Sequence, residues 1–239
     1  MKRGKLYIVA TPIGNLKDIT YRAVNVLKKV DLVATEDTRK SGILFQEYDI
    51  ATPKISYYEQ NEEKRSSELI DKLNTGQDIA LIADAGTPTV SDPGYRLMQK
   101  ATKTNIDIIP IPGPSSVLTA LVASGFPTDR FTFEGFLPKK KGRKTAFENL
   151  QDNPRTIIIF ESKYRIIRTL QDIIKYLGDR RVMIGREMTK LHEEYLRGFA
   201  SELKEHFEQT KPKGEFVVVI EGNWRKMKTR DMVENENKT

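Results

Sequence analysis

LYIVATPIGNL, residues 6–16, is the stretch that decides the fold. Its apolar, partly β-branched first half predicts a strand, and Pro12 with Gly14 predicts the turn that ends it. Similar apolar runs recur at 31–35, 54–58, 78–83 and 106–111, with amphipathic stretches at 18–29, 38–47, 62–74 and 94–102 between them. That strand–helix alternation predicts a parallel sheet covered by helices on both faces. Asn74-Thr75-Gly76 is a helix stop ahead of the fourth strand. IPGPSS, residues 111–116, then breaks the rhythm, and Ser115 is placed to cap a helix over 116–124.

The boundary is therefore expected near this point, giving a parallel α/β domain over 1–114 and a second α/β domain over 115–224. In the second half, strands are expected at 131–136, 156–161, 181–187 and 215–221, with helices at 144–150, 164–177 and 201–209. Their less regular order predicts a mixed sheet. The final RKMKTRDMVENENKT, residues 225–239, is a polar tail expected to be disordered.

Composition removes several chemistries. The chain has no cysteine, so disulfides, thiolate nucleophiles and cysteine–zinc sites are excluded together. His192 and His206 are its two histidines, and no metal site is expected. No apolar run approaches the roughly 20 residues of a membrane span. The opening MKRGKLYIVA turns into a strand with no signal-peptide cleavage pattern, so a cytoplasmic protein without membrane partners is expected. The net charge of +7 points to an anionic partner. In PKKKGRK, residues 138–144, five side chains are cationic: Lys139, Lys140, Lys141, Arg143 and Lys144. Such a run fits a solvated loop as well as one that contacts phosphates.

Ligands of open parallel sheets bind outside the carboxyl ends of the strands. Four such ends carry unusual loops: Thr11-Pro12-Ile13-Gly14-Asn15; Glu36-Asp37-Thr38-Arg39; Asp84-Ala85-Gly86-Thr87-Pro88 running on to Ser91-Asp92-Pro93-Gly94; and Pro112-Gly113-Pro114-Ser115-Ser116. Each alone reads equally as turn or cap chemistry. The first lacks the G-x-G-x-x-G of a dinucleotide site, and no G-x-x-x-x-G-K-[ST] phosphate loop occurs. Loops that present backbone amides and carbonyls with few fixed charges suit a neutral-to-cationic ligand. S-adenosylmethionine is one such ligand, although composition does not single it out.

LYIVATPIGNLKDIT, VATEDTRKS, IADAGTPTVSDPGY, IPGPSS, RFTFEGFLPKKKGR, FESKYRI, GREMTKLHEE and KGEFVVVIEG together resemble the tetrapyrrole-methylase-like (class III) methyltransferases. More narrowly, they resemble the ribosomal RNA small-subunit methyltransferase I family, in order from about residue 5 to 222. The first loop departs from the G-x-G-x-G-D of the tetrapyrrole enzymes, and Asp84-Ala85-Gly86-Thr87-Pro88 departs from their G-D-P loop. Both departures point away from a porphyrinoid substrate.

The resemblance implies two domains with a cofactor cleft between them, and commonly a homodimer. It further implies methyl transfer from S-adenosylmethionine, leaving S-adenosylhomocysteine, to the ribose 2′-hydroxyl of a cytidine in the decoding centre of 16S rRNA in the small ribosomal subunit. Carried over by position, cofactor contacts are Pro12, Ile13, Gly14, Asp84, Ala85, Gly86, Thr87, Pro88, Val90, Ser91, Ser115 and Ser116. From the second domain come Phe160, Glu161, Ser162, Arg186, Glu187, Lys213 and Gly214.

A 2′-hydroxyl attacks well only when a base takes its proton. Glu36, Asp37 and Asp84 are the candidate bases, with capping or loop bracing the competing reading for each, and Asp37 with Arg39 equally a structural pair. Arg39, Lys139, Lys140, Lys141, Arg143, Lys163, Arg165 and Lys190 are candidates for gripping RNA phosphates. Tyr57 and Tyr58 read either as half core or as a stacking pair. The competing functions are methylation of a small tetrapyrrole precursor and non-catalytic cofactor or RNA binding.

Overall fold

The computed structural model describes residues 2–223, so the expected tail at 225–239 lies outside the described residues. The chain divides into two compact units between Ser115 and Ser116.

In the first unit, β1 (Leu6–Val9), β2 (Leu32–Thr35), β3 (Lys54–Ser56), β4 (Ile79–Ile82) and β5 (Ile108–Ile111) form one sheet in the order β3-β2-β4-β1-β5. Every pairing is parallel. The period-two alternation of strand side chains sorts the core into two faces. Val33, Ala80 and Ile82 face Ala23 and Leu27 of α1 (Tyr21–Lys29) and Leu44 and Phe45 of α2 (Thr38–Glu47). Ala34, Ile79 and Leu81 face Leu69 and Leu73 of α3 (Glu62–Asn74) and Leu97 and Ala101 of α4 (Tyr95–Lys103). Each of these fully buried leucines contributes about 2 kcal/mol by leaving water. Tyr57 belongs to this core at 1% exposure, bonded through its hydroxyl to Glu62 and Ser66, which removes it as a stacking residue.

The strand order decides where ligands can sit. From β1 the chain passes over β4 to reach β2, whereas from β4 it passes over β1 in the other direction to reach β5. The loops after β1 and β4 therefore diverge from neighbouring strands, which is the switch-point geometry that opens a crevice.

The second unit begins with α5 (Ser116–Ser124). It continues through β6 (Phe131–Phe136), α6 (Arg143–Leu150), β7 (Thr156–Ser162) and α7 (Ile166–Asp172), which runs on as a π-helical turn over Ile173–Leu177. After these come β8 (Arg181–Arg186), β9 (Glu194–Phe199), α8 (Ala200–Thr210) and β10 (Glu215–Ile220). The sheet order is β6-β7-β10-β8-β9, with β6 and β7 parallel and the other pairs antiparallel, so the sheet is mixed. Phe147, Leu170 and Phe207 of α6, α7 and α8 cover one face, and Val117, Ala120 and Leu121 of α5 cover the other.

β9 was not expected from the sequence. EYLRGF carries two charges and a glycine, and its side chains are only partly buried or exposed because it forms the sheet edge beside β8. Pairing with β8, not an apolar pattern, makes it a strand.

Candidate active site

In the first unit, the crevice between the β1 and β4 loops is framed by a two-way backbone bridge. Thr11 donates to Gly86 at 2.9 Å and accepts from it at 3.0 Å. The Thr11 hydroxyl adds a bond to the Ala83 carbonyl at 3.1 Å. Gly86 has φ +79°, and a Cβ there would stand 3.3 Å from Ile13 Cγ2. The Thr87 hydroxyl reaches the Pro114 carbonyl at 3.3 Å, tying the β4 loop to the β5 loop. The structure thus brings Pro12, Ile13, Gly86, Thr87 and Pro114 into one frame, with Ala85 and Gly14 exposed at its rim. Beyond it, Thr89 and Ser91 hold φ of +72° and +66°, and Val90 between them is 38% exposed. Strained non-glycine backbone of this kind collects at functional loops.

The carboxylates separate by their partners. Asp37 caps α2 by accepting from the Arg39 amide at 2.9 Å and also pairs with the Arg39 guanidinium at 2.8 Å. Those bonds hold its carboxyl well below the usual carboxylate range. Asp84 accepts from the Asp37 amide at 3.0 Å and pairs with Lys40 at 2.7 Å. Glu36 is pushed up, first by burial and then by the charge of Asp84. Asp92, in the loop after β4, is pushed up to about 7 by burial and then by the negative charges of Glu36 and Asp84. The sequence does not single it out. Ser91-Asp92-Pro93-Gly94 looked like turn chemistry, and no local signal reports desolvation by the fold.

The second unit gathers its candidates at one end of its sheet, where the ends of β7 and β8 flank the start of β10. Glu187, at φ +47°, accepts from the Glu215 amide at 2.9 Å and from Lys190 at 3.1 Å. Gly214 lies against it, where a Cβ would stand 2.6 Å from the Glu187 side chain. Arg186 is engaged by Glu194 at 2.8 Å, while Lys213 is exposed. Glu161 is buried beside the half-buried Phe160 and Ser162. Its carboxylate accepts from the Ser162 amide at 2.7 Å and the Thr169 hydroxyl at 2.6 Å, and pairs with Arg165 at 2.8 Å.

The basic candidates divide as well. Arg39, Lys139, Lys140, Lys141 and Lys163 are exposed, and Lys190 is shared between Glu187 and Glu215. Arg143 is not available to a phosphate. It is 3% exposed, pairs with Asp172 at 2.7 Å and donates to Thr169 at 2.8 Å, so it braces the loop from within. Arg165 is likewise half-buried by its bonds to Glu161 and the Leu137 carbonyl. The sequence shows five cations in a run but not which one turns inward. Among the described residues, no group of His, Asp or Glu side chains is arranged to hold a metal ion.

The Tetrapyrrole (Corrin/Porphyrin) Methylases family model matches residues 5–204. A ribosomal RNA small subunit methyltransferase I from Thermotoga maritima is 48% identical over 92% of this chain and 99% of its own. The chain belongs to that methyltransferase family. A ribosomal RNA small subunit methyltransferase I from Halalkalibacterium halodurans is 47% identical over 96% of this chain and 80% of its own. Among solved structures, uroporphyrin-III C-methyltransferase from Thermus thermophilus in complex with S-adenosylhomocysteine has a TM-score of 0.62 at 17% identity. It covers 94% of this chain and all of its own, and it shares the fold of the family.

Proposed function

We propose that this chain methylates small-subunit ribosomal RNA, with S-adenosylmethionine as donor and the ribose 2′-hydroxyl of a decoding-centre cytidine as acceptor. The observation that carries this reading is the match, along nearly the whole chain, to relatives whose name states the rRNA methyltransferase activity. The frame built by Thr11 and Gly86 supports the donor. It joins the two loops backbone to backbone, and loops that present amides and carbonyls suit a ligand that carries its own positive charge. Pro12 to Gly14, Asp84 to Pro88, Val90, Ser91, Ser115 and Ser116 would hold it from the first unit. Phe160 to Ser162, Arg186, Glu187, Lys213 and Gly214 are the proposed contacts of the second unit. The donor supplies an electrophilic methyl group on a sulfonium.

The chain's task is to orient the ribose oxygen and remove its proton. Asp92 is the better acceptor, because its pKa lies near working pH and no cation pairs with it among the described residues. Asp37 and Asp84 are engaged by Arg39 and Lys40 and shape the loops instead. Lys139, Lys140, Lys141 and Lys163 would meet RNA phosphates. A cytoplasmic, homodimeric enzyme acting on the small ribosomal subunit completes the reading. Among the described residues, no helix is long and apolar enough to cross a membrane.

The test is incubation with methyl-labelled S-adenosylmethionine and, in parallel, small subunits, naked 16S rRNA or a porphyrinoid precursor. Label recovered as 2′-O-methylcytidine is expected. Label on the porphyrinoid alone, or donor binding without transfer, would overturn the reading.

A further inference from the structure

At the end of the edge strand β6, the fold turns an aromatic ring outward. The pairing of β6 with β7 slips between Phe133 and Gly135, where Gly135 takes φ +59°. In an unbroken strand, residues three apart point to opposite faces. The bulge brings Phe133 and Phe136 to the same face, each edge-on to Phe160 with centroids 5.0 and 5.5 Å away. The Arg165 guanidinium lies 5.9 Å from the Phe136 centroid and fixes the ring further. Phe136 nevertheless remains 57% exposed.

The loop that follows is anchored carbonyl by carbonyl. Arg165 donates to Leu137 at 3.0 Å, Arg143 to Pro138 at 3.2 Å and Arg168 to Lys139 at 3.3 Å. Three guanidiniums thus hold three successive carbonyls and leave Lys139, Lys140 and Lys141 in solvent. On the neighbouring turn after β7, Tyr164 is 83% exposed with the Lys163 ammonium 5.0 Å from its ring.

We propose that Phe136 and Tyr164 form a stacking platform for bases of an unpaired RNA segment whose phosphates lie along Lys139–Lys141 and Lys163. The proposal rests on the rRNA reading above and adds that the segment is held single-stranded. Exposed aromatics among cations complement a strand that offers π faces and phosphates together. A duplex hides its base faces and could use only the lysines.

The experiment measures affinity of the full-length protein for a short single-stranded RNA copied from the decoding centre, and for the same RNA annealed to its complement. Phe136→Leu keeps apolar bulk but removes the π face. It is expected to weaken single-strand binding roughly tenfold, leave the salt slope and duplex affinity unchanged, and be rescued by Phe136→Trp. Tyr164→Leu, at an almost fully exposed position, should weaken the same binding several-fold and serves if the Phe136 variant does not fold. Unchanged single-strand affinity, equal loss for strand and duplex, or a parallel loss of S-adenosylmethionine affinity through Phe160 would each overturn the platform. Wild-type protein that leaves small subunits unlabelled overturns the rRNA reading itself, on a separate readout.

Discussion

Asp92 and Asp37 show how partners within one loop cluster divide the work of similar side chains. Asp37 is held in its charged form by the Arg39 amide and guanidinium, which makes it a poor proton acceptor. Asp92, desolvated and facing Glu36 and Asp84, sits at about 7, where a general base is most effective. The rate of methyl transfer is therefore expected to rise with pH to a plateau above about 7. Asp92→Asn should abolish that rise and slow turnover by roughly 10²- to 10⁴-fold. Asp37→Asn should retain the profile, since asparagine caps a helix about as well as aspartate. An intact pH limb in Asp92→Asn would sink the assignment.

The same raised pKa has a stability sign. The folded chain binds this proton more tightly than the unfolded chain, so ionised Asp92 destabilises the fold. That cost is absent below about pH 4 and complete above about pH 7. Asp92→Asn should thus stabilise the protein relative to wild type at about pH 8, by on the order of 2 kcal/mol after solvent screening, and hardly at all at about pH 4. Urea unfolding at the two pH values measures it. Glu36, Asp37 and Asp84 were legible as candidates because they follow strands directly. Their ranking was not, because it depends on Lys40, Arg39 and burial that only the folded loops bring together.

At the scale of elements, the βα rhythm was readable because the inner parallel strands β1, β2 and β4 are buried along most of their length and so appear as apolar runs. α2, α3, α5 and β6 begin and end where the periodicity and caps place them. β9 escaped because an edge strand needs only one neighbour. The inward turn of Arg143 escaped because its partners, Thr169 and Asp172, lie on α7, a different element. Arg143→Ala leaves the Asp172 carboxylate with the longer Arg168 contact at 3.9 Å and removes the donor to Thr169 and the Pro138 carbonyl, so it should destabilise the second unit by about 3 kcal/mol. Thermal unfolding should register this loss, whereas an exposed phosphate contact would alter the salt dependence of RNA binding with the melting temperature unmoved. In the first unit, Gly86→Ala forces a side chain into a left-handed backbone and toward Ile13. About 1–2 kcal/mol of strain is expected, with a matching loss of roughly tenfold in donor affinity if the bridge to Thr11 gives way. Calorimetric titration with S-adenosylmethionine checks it.

For the molecule as a whole, the +7 net charge is less informative than where its free cations lie. Many lysines and arginines are already paired: Arg39 with Asp37, Lys40 with Asp84, Arg143 with Asp172 and Lys190 with Glu187 and Glu215. Such pairs contribute little net field toward an approaching polyanion. Lys139, Lys140 and Lys141 differ, standing exposed on a loop whose carbonyls are held by Arg143, Arg165 and Arg168. Each phosphate met by such a cation releases condensed counterions, contributing about 0.7 to the slope of log affinity against log salt for a single strand. Replacing all three with alanine should therefore flatten that slope by up to about 2, with the largest loss of affinity at low salt. Donor affinity should not change, because the loop carries none of the proposed donor contacts. A titration of labelled single-stranded RNA across salt concentrations, paired with donor titration, reads both quantities. An unchanged slope would mean that the RNA approaches another face, and an equal fall in donor affinity would mean that this loop belongs to the donor site.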